Sequence, residues 1–201
     1  MTKPIIDPEF HALIPPPSED ERIQLEANIR AEGCRDALVV WQGILVDGHN
    51  RFEICERLKM EYRTKAIELK DRAAAVEWII RNQFGRRNLS AYQRAELALR
   101  LEPIIAAKAK VKQKEAGGAV RQKSDKAVVD TKKELASIAG VSHDTIHKVK
   151  IIAARANDAT KARLRSGDTS INAEYKKIEK ETKAEKRKSE RAGLIVTMPS
   201  G

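Results

Sequence analysis

The spacing of apolar positions divides the first half of the chain into short strands and helices. Leu38-Val39-Val40-Trp41 is an unbroken apolar run of strand length, Ile44-Leu45-Val46 is a second, and Gln42-Gly43 lies between them. Two such runs joined by a two-residue turn containing glycine predict a hairpin. After it the spacing changes to Phe52, Ile54, Cys55 and Leu58, which predicts a helix over about 50–59. The polar cluster Asp47-Gly48-His49-Asn50-Arg51 therefore falls on a strand-to-helix turn. Upstream, Ser18 and Glu21 form a capping-box pattern that starts a helix ended by Gly33, with Ile23–Ala27 and Leu25–Ile29 as i,i+4 pairs. In the proline-rich first 17 residues, Phe10, Leu13 and Ile14 are expected to dock as a short strand or clip.

Downstream, Tyr62–Glu68 reads as a third strand. Asp71 caps a helix from Arg72 to about Phe84 whose broad apolar face holds Ala75, Val76, Trp78, Ile79 and Ile80, and Gly85 ends it. Ser90 caps the next helix, Ala91 to about Lys114, which Pro103 is expected to kink or divide. No strand pattern follows. The fold class expected is α+β: a small mixed α/β domain, then an all-α domain.

The second half contains one strong local pattern. In Lys132–Lys150 a helix of about 132–139 ends at Gly140, a residue able to take the left-handed turn. Ala136, four residues earlier, leaves room for two helices to cross. Val141 anchors the turn, Ser142 caps the second helix, and Ile146 and Val149 face inward. This is a helix-turn-helix pattern, and it leaves Ser142, His143, Asp144, Thr145, His147 and Lys148 outward, where a recognition helix meets the major groove. A helix pair used only for protein contact is the plainer alternative. His143 and His147 have a metal-ligating i,i+4 spacing but no third ligand. A further helix ends at Gly167, and another begins near Thr169 and runs into the mixed charge run 176–191, a solvated helix face or a source of added phosphate contacts.

Charge sharpens this division. Residues 1–102 hold 16 Lys/Arg against 17 Asp/Glu, so the other 23 Lys/Arg and 12 Asp/Glu place the whole +10 net charge in the second half. A near-neutral domain joined to a basic one points to a polyanion partner. No run approaches the roughly 18 apolar residues of a membrane span. The N-terminus has no apolar segment of the signal-peptide kind, so a cytoplasmic protein without membrane contact is expected. Cys34 and Cys55 give neither a disulfide framework nor a metal spacing and read as core thiols.

The central turn has its own chemistry. A helix N-terminus offers unpaired N–H groups and partial positive charge, and a glycine lets a ligand approach the backbone. Gly48, the following N–H groups and Arg51 favour a phosphate. Arg86 and Arg87 are further cations, and Asn82 is a candidate donor or Mg²⁺ ligand. His49 is a candidate phosphate donor or acid–base group, and Asp47 a candidate to orient it or to meet Mg²⁺; these two are the only catalytic candidates. An Asp47–Arg51 ion pair on an inert turn is the plainer reading.

The two motifs, in this order, resemble the ParB family and, more widely, the ParB/sulfiredoxin-like fold, over about residues 5–178. Residues 18–41 are similar to the family's opening helix and strand. DGHNRF (47–52) stands where the family carries its phosphate loop GERRxR, and RNQFGRRNLSAYQRAE (81–96) where it carries ENxQRxDL. The helix-turn-helix and LRSGDTSINAEY (164–175) resemble the segments that follow. Gly48 and Arg51 match the loop, while His49 and Asn50 replace its Glu and first Arg. The DGH-x-R form is similar to the free-serine-kinase branch and to ParB-like proteins of phages, plasmids and mobile elements. Arg81 replaces the family's metal-side Glu, Asn82 is kept, and Gly85 is an extra residue. Sulfiredoxin chemistry is set aside, because it needs a Cys where His49 stands. No segment after 178 is long enough for the family's dimerisation domain.

The resemblance implies a domain at 1–85 that binds a nucleotide, CTP or ATP with Mg²⁺, through Gly48, His49, Asn50, Arg51, Asn82, Arg86 and Arg87. It implies a helical DNA-binding domain at 86–178, with the helix-turn-helix at 132–150 and a basic linker at about 106–131, and a charged tail at 179–201. Expected partners are double-stranded DNA, a second copy in a homodimer, and a segregation ATPase, with the protein at the nucleoid or a plasmid. Its role would be partition or transcriptional control, the nucleotide setting the dimer or clamp state. The alternative is a nucleotide-dependent phosphotransferase, NTPase or nuclease that the helix-turn-helix targets to DNA. A third class, an adaptor for proteins alone, predicts no specific DNA affinity.

Overall fold

A three-stranded sheet organises the N-terminal half of the computed structural model, which describes residues 3–85, 89–115 and 131–196. Strands β1 (Leu38–Trp41) and β2 (Ile44–Asp47) form the expected antiparallel hairpin. Strand β3 (Thr64–Ala66) pairs with β1 in parallel, giving the order β2-β1-β3. Gln42 and Gly43 both take positive φ (50° and 79°), as a two-residue turn matched to strand twist requires. The strand expected over Tyr62–Glu68 shortens to Thr64–Ala66 in register with β1, flanked by single hydrogen bonds from the Leu38 N–H to the Arg63 carbonyl (2.8 Å) and from the Ile67 N–H to the Val40 carbonyl (2.9 Å).

Helices α1 (Pro8–Ala12), α2 (Glu19–Glu32), α3 (His49–Leu58) and α4 (Arg72–Phe84) complete this unit. The capping box forms as expected: Ser18 Oγ accepts from the Glu21 N–H at 3.2 Å, and Glu21 Oε2 accepts from the Ser18 N–H at 2.8 Å. Ile29 of α2 packs on Ile54 and Cys55 of α3, and Glu26 bonds Arg57 across the same interface. Ile23 is 58% exposed and stays out of this core. Leu38, Leu45 and Phe52 form a second cluster between the hairpin and α3.

The N-terminal stretch differs from the short strand or clip expected. Phe10 lies in α1, which Pro8 starts and Asp7 caps, the Asp7 carboxylate accepting from the N–H groups of Glu9 (2.9 Å) and Phe10 (3.2 Å). Strand-like pairing falls instead on Ile5, which donates to the Gly43 carbonyl and accepts from the Leu45 N–H, both at 2.9 Å. Proline at the first helical position after an Asp cap explains the helix, since neither needs an intrahelical donor.

The chain divides into two compact units, Met1–Arg87 and Asn88–Gly201. In the second the described elements are all helices: α5 (Ala91–Glu115), α6 (Thr131–Ala139), α7 (His143–Arg155), α8 (Asp158–Ser166) and α9 (Ile171–Val196). Helix α5 is not divided at Pro103. The proline removes one N–H and crowds the Leu99 carbonyl, but buried Leu97, Leu101 and Ile105 on either side hold one helix against α6 and α7. Of the linker expected at about 106–131, residues up to Glu115 are helical and Thr131 begins α6, while 116–130 lie outside the described residues. Helix α9 continues past 178, where the helical domain was expected to give way to the tail at 179–201. No described helix is long and apolar enough to cross a membrane.

Candidate functional site

The turn from β2 into α3 is built around Gly48. It caps α3 with φ 92° and ψ 21°, a left-handed conformation costly for other residues. A Cβ there would also lie 2.7 Å from Leu38 Cδ2. Both the backbone and the space therefore demand glycine. No side chain caps α3, so the N–H groups of its first turn keep their capacity for an outside acceptor.

His49 opens the helix and is 4% exposed, with no hydrogen-bond partner for Nδ1 or Nε2. Its burial, helped by the nearby His11, lowers its pKa to about 4, against an opposing pull from Asp47. The ring is thus neutral at pH 7, with one nitrogen able to donate and the other to accept. Arg51, two residues on, is also largely buried. Its Nη2 meets Asp47 Oδ2 at 3.3 Å, Nη1 lies 3.8 Å from Asp36 Oδ2, and Nε is buried with no partner. Asn50, between them, is half-buried. Buried polar groups are nearly always paired, so two unpaired donors at one uncapped helix start, an N–H of His49 and the Arg51 Nε–H, suit an acceptor-rich ligand such as a phosphate. Asp47 is engaged with Arg51, and neither ring nitrogen of His49 has a hydrogen-bond partner.

Asn82 is exposed in the last turn of α4; Arg86 and Arg87 lie outside the described residues. Among the described residues no cluster of three or more His, Cys, Asp or Glu is placed to hold a metal. Two residues were not expected. Gln83 is fully buried, and neither its Oε1 nor its Nε2 has a partner. Its signal was in the spacing, since 76, 79, 80 and 83 share one helical stripe. His11 stands with its ring centroid 5.3 Å from that of His49, a contact across 38 positions that no local pattern announces. Cys34 and Cys55 lie in the Ile29–Ile54 cluster, and burial pushes the Cys55 thiol up to about 11, an unreactive state.

In the second unit the turn between α6 and α7 takes the expected form. Gly140 has φ 64°, the Val141 N–H donates to the Ala136 carbonyl at 3.1 Å, and Arg94 Nη1 donates to the Ala139 carbonyl at 3.2 Å. Leu135, Ala136, Ala139, Ile146, Val149 and Ile152 are buried between the helices. Ser142 Oγ caps α7 through the Thr145 N–H (3.1 Å) and also bonds Thr145 Oγ1 (2.8 Å). His143, Asp144 and His147 are exposed. Lys148 is the least free of the six expected contacts: its Nζ meets Asp144 at 2.6 Å and Asn172 at 2.8 Å, and lies 5.8 Å from the Tyr175 ring centroid.

No known family profile matches this chain, and no curated protein matches it. Solved structures do. A Pnob8-like ParB-N domain superposes with a TM-score of 0.60 at 19% identity, covering 86% of this chain and 74% of that one. A pNOB8-like ParB N-domain gives 0.53 at 21%, over 86% and 70%. The C-terminally truncated chromosome-partitioning protein ParB from Caulobacter crescentus, complexed to the centromeric parS site, gives 0.45 at 15%, over 86% and 79%. The first two likenesses establish that the chain has the mixed α+β fold of a ParB N-domain structure.

Proposed function

We propose that this chain is a ParB-like DNA-binding protein that reads duplex DNA through α6–α7 and binds the phosphates of a nucleotide at Gly48–Arg51. The nucleotide, CTP or ATP with Mg²⁺, sets the dimer or clamp state of the protein in plasmid or phage partition or in transcriptional control. Its partners are duplex DNA, a second copy and a segregation ATPase, at the nucleoid or a plasmid. The observation that carries the nucleotide half is His49, buried at the start of an uncapped helix with both nitrogens unpaired beside the unpaired Arg51 Nε. Gly48 admits the ligand to the backbone, the N–H groups and Arg51 neutralise it, and His49 holds an oxygen. A bound Mg²⁺ would neutralise further phosphate charge, with Asp47 or Asn82 as the side chains able to meet it. The DNA half rests on the capped, glycine-turned helix pair and on the basic balance of the second half.

The test is calorimetric titration of the full chain with CTP, ATP, GTP and UTP, with and without Mg²⁺ and duplex DNA. Saturable binding of at least one nucleotide is expected, lost in Arg51→Ala while DNA binding persists. If none of the four binds, the nucleotide half of the reading fails. Sustained turnover lost in Arg51→Ala would instead favour the nucleotide-dependent enzyme.

A further inference from the structure

We infer that His11 of α1 is a second phosphate-binding side chain of the Gly48–Arg51 site, so that the N-terminal segment supplies one wall of it. This inference rests on the nucleotide-phosphate reading above. The two imidazole rings stand 5.3 Å apart and tilted by 51°. His49 is 4% exposed, whereas His11 is exposed. An anion that bonds the buried ring from solvent therefore comes within reach of the exposed one. Among the described residues, charged groups acting on this place include Asp47 of β2, Arg51 of α3 and Asp36, 3.8 Å from Arg51 Nη1. His11 adds a donor on the solvent side, beside an Arg51 that is half-committed to Asp47.

The placement of His11 is built in. Its helix is capped by Asp7, and Arg72 Nη2 bonds that same carboxylate at 2.8 Å. The Arg72 guanidinium also stacks 4.5 Å over the Phe10 ring. Phe10 is fully buried, with its centroid 6.3 Å from that of Trp41. Ile5, a few residues before, is bonded to Gly43 and Leu45. The segment is thus fixed to the sheet and to α4 by the residues just before His11, and little ordering is needed when a ligand arrives. The ligand class is an oligophosphate, recognised by its oxygens rather than by its base.

The experiment uses the full-length chain, its His11→Ala and Arg51→Ala variants, and three probes at pH 7: CTP, ATP and inorganic tripolyphosphate. His11→Ala should weaken each nucleotide the wild type binds, and tripolyphosphate, by about tenfold, the value of one charge-assisted hydrogen bond. The His11 ring proton resonance of the wild type should shift on adding tripolyphosphate, a readout that does not depend on how the variant folds. If His11→Ala binds like wild type while Arg51→Ala does not, or the resonance stays still during saturable binding, the assignment falls and the nucleotide reading stands. A loss with nucleotides but none with tripolyphosphate would place His11 on the nucleoside and also overturn it. If the wild type binds none of the probes, both fall together.

Discussion

Arg51 of α3 reaches back to Asp47 at the end of β2, Nη2 to Oδ2 at 3.3 Å, while its Nε stays buried and unpaired. The carboxylate therefore competes with any anion for the same guanidinium. Asp47→Asn should remove that competition and one negative charge from the turn. Affinity for metal-free tripolyphosphate should rise about fivefold, from a pair worth about 1 kcal/mol. Calorimetry with and without Mg²⁺ checks this. A loss confined to the Mg²⁺ titration would instead mark Asp47 as a metal contact.

His49 links the site to pH. Its pKa is depressed from 6.5 to about 4 in the folded chain, so between those values the unfolded state binds more protons. Stability is then full above about pH 6.5 and falls as the pH drops toward 4. The loss should be about 2–3 kcal/mol, since a tenfold change in proton affinity is worth about 1.4 kcal/mol and solvent screening trims the total. Urea denaturation at pH 7.5, 5.5 and 4.5 should show it in the wild type and a flatter curve in His49→Asn. Parallel losses in both proteins would mean that another group titrates.

Gly48 and Gly43 separate two costs. Both have positive φ, but a Cβ at 43 meets nothing within 4 Å, whereas one at 48 meets Leu38 at 2.7 Å. Gly43→Ala should cost about 1 kcal/mol from the backbone alone. Gly48→Ala should cost about 2–4 kcal/mol through the added clash and abolish nucleotide binding. Denaturant midpoints for the two variants measure the difference.

What the chain disclosed in advance was local. The Ser18–Glu21 box, the Gln42-Gly43 turn, the Asp71 and Ser142 caps and the Gly140 turn each lie within a few residues, and each formed where its chemistry put it. Helix α1 was missed because five residues hold barely one period, although Asp7-Pro8 marked its start. The site was half legible for the same reason. Gly48, His49 and Arg51 are neighbours in sequence. The Asp47–Arg51 pair was legible as a local i,i+4 pairing and formed, but that His49 would be buried beside His11, or that Asp36 would also approach Arg51, depends on how the chain packs. Gln83 carried a periodic signal, but a polar residue on an apolar stripe reads as an exception until its burial is seen.

Helix α7 is steadied by α9, and on the proposed DNA reading this alters what Lys148 is expected to do. Tyr175 of α9 lies 6.3 Å from the His147 ring and 5.8 Å from Lys148 Nζ, centroid distances both, while Asp144 and Asn172 hold the same ammonium. A lysine already paired with a carboxylate releases few counterions on meeting DNA. On the proposed DNA reading, Lys148→Ala should therefore weaken binding while changing the salt slope by less than about one unit. Tyr175→Ala should weaken binding about tenfold with no change in slope, because it removes positioning and no charge. Tyr175→Phe should restore wild-type affinity, since the hydroxyl bonds only Glu179, at 3.2 Å. Filter binding over a series of salt concentrations measures all three. A wild-type affinity for Tyr175→Ala would show that α9 does not position the helix, and a full-unit drop in slope for Lys148→Ala would show that DNA draws the lysine away from Asp144.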